Sequence, residues 1–108
     1  MTVRELVDRT GLTVLVLPDG DHEVSGVYAG DLLSWVMGRA KESQAFVTIM
    51  TNINVLAVTA LLDLSCVIIC EDAEVPSELI RSAEEKGINL LRSDAPEYET
   101  CVRLSSVL

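Results

Sequence analysis

With a single histidine, His22, and no lysine-bearing glycine-rich loop, the chain lacks most of the side chains on which enzymes rely. General acid–base catalysis near neutral pH draws on histidine or on a carboxylate shifted by burial. His22 lies in the turn Asp19-Gly-Asp-His-Glu23, among carboxylates, where a solvent-facing position is expected. A cysteine nucleophile needs a base beside it, and His22 is the only imidazole available to any thiol. The pattern Gly-x-x-x-x-Gly-Lys-Ser/Thr is absent, which disfavours direct phosphoryl transfer. The spacing Gly26-x-x-x-Gly30-Asp31 falls short of a dinucleotide fingerprint, and its carboxylate would repel the phosphate that a helix N-terminus attracts. A non-enzymatic protein is the expectation, with no catalytic residue and no cofactor.

Positive charge is also scarce. Seventeen acidic residues against eight basic ones give a net charge of −9. No basic stripe neutralises a phosphate backbone, so a nucleic acid polymer is not an expected partner. Glu71, Asp72, Glu74, Glu78, Glu84 and Glu85 form an acidic block, which reads as a solvated helix face or as a docking surface for a basic partner. No apolar run approaches the roughly 20 residues that span a bilayer. The N-terminus carries Arg4, Glu5, Asp8 and Arg9 in place of a signal-peptide core, so no membrane contact and a cytoplasmic location are expected. Three cysteines, an odd number, argue against a closed disulfide framework. Cys66 and Cys70 share one face of an expected strand, without further metal ligands nearby, and are read as buried, reduced thiols.

What the chain does have is Val, Leu, Ile and Ala: 49% of its residues are hydrophobic, with only Trp35, Phe46, Tyr28 and Tyr98 as aromatics. Such a composition suits close-packed helices on a sheet, and 108 residues suit a single domain over 1–108. Thr2-Val-Arg-Glu5 has the form of a capping box, and Gly11 is placed to end a first helix. Strands are expected over Leu12–Leu17, Glu23–Tyr28, Ala45–Met50, Cys66–Cys70 (central) and Ile88–Leu91. Helices are expected over Leu32–Ala40 with Asp31 as N-cap, Asn54–Leu62, Pro76–Lys86 with Gly87 as stop, and from Asp94 onward with Tyr98, Cys101, Val102 and Ser105 along one side. Five helices interspersed with five strands predict an α/β three-layer sandwich around a parallel or mixed five-stranded sheet.

One junction stands out. Thr48, Thr51, Asn52 and Asn54 gather neutral hydrogen-bonding groups where a core strand meets a helix N-terminus. They hold a carboxylate, phosphate or amide, or they only cap the helix. Asp31, Thr51, Asn52 and Asn54 are therefore the candidate ligand-binding residues: Thr51 and Asn52 as hydrogen-bond partners, Asn54 as a cap, and Asp31 as a cap or as an acceptor for an amine or hydroxyl.

The order of Arg4-Glu-Leu-Val7, Val24-Ser-Gly-Val-Tyr28, Asp31-Leu-Leu-Ser-Trp-Val-Met37 and the Thr48 to Ala57 junction resembles a DRTGG-domain protein. Val67-Ile-Ile69, Pro76 to Ile80, Ala83 to Leu91 and Tyr98-Glu-Thr100 extend the match. The chain is similar too to the N-terminal domain of HPr kinase/phosphorylase and to the middle domain of long phosphate acetyltransferases. Asp8-Arg-Thr-Gly11 spells most of the family name but lies outside the signature, which is dispersed over later loops. At the signature positions the chain has Thr51-Asn-Ile-Asn54 in place of an Asp-Arg pair, and Cys70-Glu-Asp72 in place of Thr-Gly-Gly. The resemblance implies an HPr kinase N-terminal domain-like fold that serves as a non-catalytic regulatory or ligand-sensing unit. The expected function is self-association, as a homodimer, with binding of a small polar metabolite or nucleotide. The alternative is an interaction module or accessory subunit of a larger redox or metabolic assembly, with no ligand of its own.

Overall fold

A computed structural model describes residues 1–108. Helix α1 (Val3–Thr10) precedes strands β1 (Thr13–Val16) and β2 (Gly26–Ala29). Then α2 (Leu33–Arg39), β3 (Gln44–Thr48), α3 (Asn54–Leu61), β4 (Cys66–Ile69), α4 (Ser77–Lys86), β5 (Leu90–Arg92) and α5 (Glu97–Ser105) alternate to the end. The sheet order is β1-β5-β4-β3-β2, with β2 to β5 parallel and β1 antiparallel against β5. The five-stranded sheet is thus mixed, with β4 at its centre, as its unbroken apolar sequence implies.

Alternation along the strands sends side chains to two separate cores. Phe46, Val67, Ile69 and Leu90 meet Val36 of α2, Val55, Leu56 and Val58 of α3, and Leu79 and Ala83 of α4. Ala45, Val47, Cys66, Ile68 and Leu91 face the other way, onto Val3 and Leu6 of α1 and Leu104 of α5. This is a three-layer α/β sandwich. After β5 the chain crosses from the first face to the second. No helix is long and apolar enough to cross a membrane.

Local chemistry accounts for the elements. Thr2 and Glu5 close the capping box at α1, while Gly11 and Gly87 end α1 and α4 with φ of 71° and 70°, where a β-carbon would be strained. Three differences from expectation have physical causes. Asp31 does not cap α2: the N-cap is Leu32, without a side-chain bond, because the Asp31 carboxylate turns to the end of β3. β5 starts later than Ile88: the Asn89 carbonyl still accepts from the Val67 amide of β4, while its side chain binds the preceding loops, accepting from the Asp19 amide and donating to the Asp19 and Ser65 carbonyls. In α5 the inward residues are Thr100 and Leu104, with Cys101 half-buried, while Tyr98 stays 76% exposed. Thr100 is drawn in by the buried Ser93 hydroxyl at 2.7 Å.

Candidate functional site

The C-terminal ends of four parallel strands lie along one edge of the sheet, where open α/β sheets bind ligands. β2 runs into Asp31, whose Oδ1 accepts from the buried Thr48 hydroxyl and from the Ile49 amide, both at 2.8 Å. The Met50 amide donates in turn to Thr48 Oγ1. Glu97, in the first turn of α5, comes up beside Asp31. Burial pushes the Glu97 carboxyl up to about 7, helped by the hydrogen bond and the negative charge of Asp31 and by the charge of Glu71. Burial acts on Asp31 in the same direction, but bonds from Glu97, the Ile49 amide and Thr48 outweigh it and hold its carboxyl below the usual range. Of the two acids, Glu97 is therefore the first to take up a proton as pH falls.

Further along the same edge, the loop after β4 places Glu71 and Asp72 in the left-handed region, with φ of 66° and 50°. Their amides donate to the Ala95 and Ser93 carbonyls, which fixes the loop against the start of α5. A pocket of about 130 Å³ lies beside it, where Arg92 and Arg103 are loosely paired with Asp72 and Asp94 at 3.6 and 3.8 Å. Neither guanidinium is close enough to its carboxylate for a good hydrogen bond.

Of the residues singled out from sequence, Thr51 and Asn52 share one cleft of about 230 Å³ with Ile53, Pro76, Glu78 and Leu79. Asn52 Oδ1 accepts from the Asn54 amide at 3.0 Å, so Asn52, not Asn54, satisfies the first helical donor of α3. Asn54 is the exposed first residue of that helix and opens onto a different groove, between α2 and α3. Asp31 stands apart from both, tied to Thr48 and Glu97. Sequence reasoning missed Glu97, Arg92 and Arg103; the only sequence signal was an acidic first turn after Pro96.

The opposite edge holds the chain's one Ser–His–Asp array. His22 Nδ1 lies 3.2 Å from Asp19 Oδ2, and Nε2 lies 3.3 Å from Ser43 Oγ. The His22 side chain is only 16% exposed, contrary to the solvent-facing expectation, because the turn folds back over the start of β3. Ser43 has φ of 67°. A polar cavity of about 180 Å³ adjoins Asp19 and His22, lined also by Lys86 and Asn89. An acyl-transfer site also needs donors for a developing oxyanion, the nucleophile's own amide usually among them. Here the Ser43 amide is already donated to the Asp63 carbonyl and the Gln44 amide to the Lys41 carbonyl. The array works as a clasp that joins the 18–25 loop to β3. No group of three or more His, Cys, Asp or Glu side chains is placed to hold a metal ion.

Residues 38–108 match the family described as HPr Serine kinase N terminus. None of the curated proteins matches the chain. Among solved structures, the CBS and DRTGG domains of the regulatory region of Clostridium perfringens pyrophosphatase, complexed with the activator diadenosine tetraphosphate, superpose with a TM-score of 0.70 at 14% identity. That match covers 95% of this chain and 45% of the pyrophosphatase one. At this identity it shows a shared fold.

Proposed function

This chain belongs to the HPr serine kinase N-terminus family, and on that premise we propose that it is a single DRTGG-like regulatory domain, without catalysis of its own, that senses a small polar ligand in the cytoplasm and pairs with itself. The observation that carries the reading is the C-terminal edge of the sheet. There the Asp31–Glu97 pair and the separate Thr51/Asn52 cleft both lie on loops held by a rigid scaffold.

The residues proposed to bind are Asp31, Thr51, Asn52 and Asn54. Thr51 and Asn52 offer hydroxyl and amide groups within their cleft, which is the size of one nucleobase or sugar rather than a whole nucleotide. Asp31 offers a carboxylate to a hydroxyl or amine, and Asn54 an amide at the start of α3. The structural relative carries a nucleotide activator, which supports a nucleotide as the class to test. Carboxylates dominate this edge, so a nucleotide would enter base or ribose first. Its phosphates would be left to Arg92 and Arg103 or to solvent.

A thermal-shift series with diadenosine tetraphosphate, mononucleotides and central metabolites tests this. A true ligand at 100 times its Kd adds about 2.7 kcal/mol, a shift on the order of 10 °C or more for a domain this size. Asn52→Ala should abolish the shift, and because it removes the α3 cap it should also lower the unliganded melting point by several degrees, on the order of 4–8 °C. No stabilisation by any compound would sink the ligand reading. The exposed apolar groove between α2 and α3 favours a second reading, an interaction module without a ligand.

A further inference from the structure

We propose that two copies of this chain pair through the outer side of α3 and its groove with α2, the two α3 helices facing each other about a twofold axis that runs along them. The inference rests on the self-association put forward above and names the surface.

Residues 50–62, which include all of α3, carry no charge in a chain where nearly a quarter of residues are charged. A helix without a polar face belongs in an interior. Yet only one side of α3 is covered: Val55, Leu56 and Val58 face the sheet, while Ala57, Ala60 and Leu61 open outward, Leu61 with 70% exposure. Beside it runs a groove of about 420 Å³ lined by Leu33 and Met37 of α2 and by Ala57, Val58 and Leu61. Ala57 and Ala60 are small enough to let a second helix approach to the usual 8–10 Å.

Charge selects the occupant. α3 lies between α2 and α4 on one face of the sheet. On the α2 side stand Arg39, stacked 4.1 Å over the Trp35 ring, and Lys41, against the single carboxylate of Glu42. The exposed side of α4 carries Glu78, Glu84 and Glu85 against Arg81 and Lys86. A twofold axis along α3 lays the basic flank of each copy over the acidic flank of the other, whereas an axis across the helices would set α4 against α4. The face therefore complements itself. In a molecule of 29 × 28 × 26 Å one face offers on the order of 800 Å², the per-partner area of a standard interface.

The test uses the full chain in analytical ultracentrifugation, with circular dichroism to verify folding. Wild type should sediment as a dimer. Ala57→Glu and Leu61→Glu, both at exposed positions, should weaken dimerisation at least about tenfold while leaving the spectrum intact, and Arg39→Glu should weaken it until restored by Glu85→Arg. Should a glutamate variant fail to fold, oxidation of Ala57→Cys provides an independent readout, with a covalent dimer expected. A wild-type monomer would overturn both this surface and self-association. A dimer indifferent to Leu61→Glu and uncross-linked through Ala57→Cys would overturn the surface alone. A monomer that instead binds another protein through Leu61 would also refute it.

Discussion

Asp31 and Glu97 are 66 residues apart and neither is conspicuous in the sequence as half of a pair. Asp31 precedes a helix, a position from which a carboxylate caps the helix or accepts from an amine or hydroxyl. The structure uses it differently: with Thr48 and the Ile49 amide as donors and Glu97 as a neighbouring carboxyl, it joins the β2, β3 and α5 ends. That role depends on a contact between distant segments, which residue spacing does not encode. Its consequence can be measured. Glu97 is raised from 4.5 to about 7 in the folded chain, so between those values the folded state holds more protons than the unfolded one. Stability must therefore fall as pH rises across that window. Asp31, held low, contributes in the opposite sense, and its share is lost only as pH drops through its depressed value. Glu97→Gln should flatten the decline between pH 5 and 7.5 in urea titrations and stabilise the protein at pH 8 by about 1 kcal/mol, discounted for its partial exposure. An unchanged pH profile would mean that the Glu97 carboxyl is not raised in the folded chain.

At the scale of elements, the sequence was legible wherever a local rule governs. The capping box at Thr2 and Glu5, the glycine stops at Gly11 and Gly87, and the apolar run of β4 all appear where expected. Illegible were the places where a side chain serves a neighbour: the Asn89 side chain holds a loop ahead of β5, and Thr100 turns inward toward Ser93. The loop after β4 is a third kind of case. Sequence shows Glu71 and Asp72 where the DRTGG signature has two glycines, and the backbone keeps the left-handed conformation that glycines adopt at no steric cost. Non-glycine residues lose roughly 1 kcal/mol or more in that region. Glu71→Gly should therefore raise the melting temperature by about 4–8 °C per kcal/mol relieved, a gain helped by removing a charge that repels Glu97. A lower melting temperature for this variant would show that the glutamate is held by contacts stronger than its strain.

For the molecule as a whole, the pattern of apolar residues sufficed to predict a helix-covered sheet, parallel or mixed, with β4 in the middle, because a strand buried on both faces leaves an unmistakable apolar run. It did not reveal which helices share a face, since that depends on the crossover after β5. Layering predicts a gradient of protection. Amides of Phe46–Thr48 and Val67–Ile69, fully buried between two helical layers, should exchange with solvent only on global unfolding, while those of β2, at the sheet edge, exchange by local opening. Equal protection in β2 and β4 would contradict the layering.

β1 takes its hydrogen bonds from β5, almost the whole sequence away. A ribosome making this chain therefore releases Thr13–Val16 long before its partner exists, and the nascent segment stays unpaired until Leu90–Arg92 has cleared the exit tunnel. Closure of the sheet is therefore a late event in the folding of this domain, and until then the strand has no partner in the sheet.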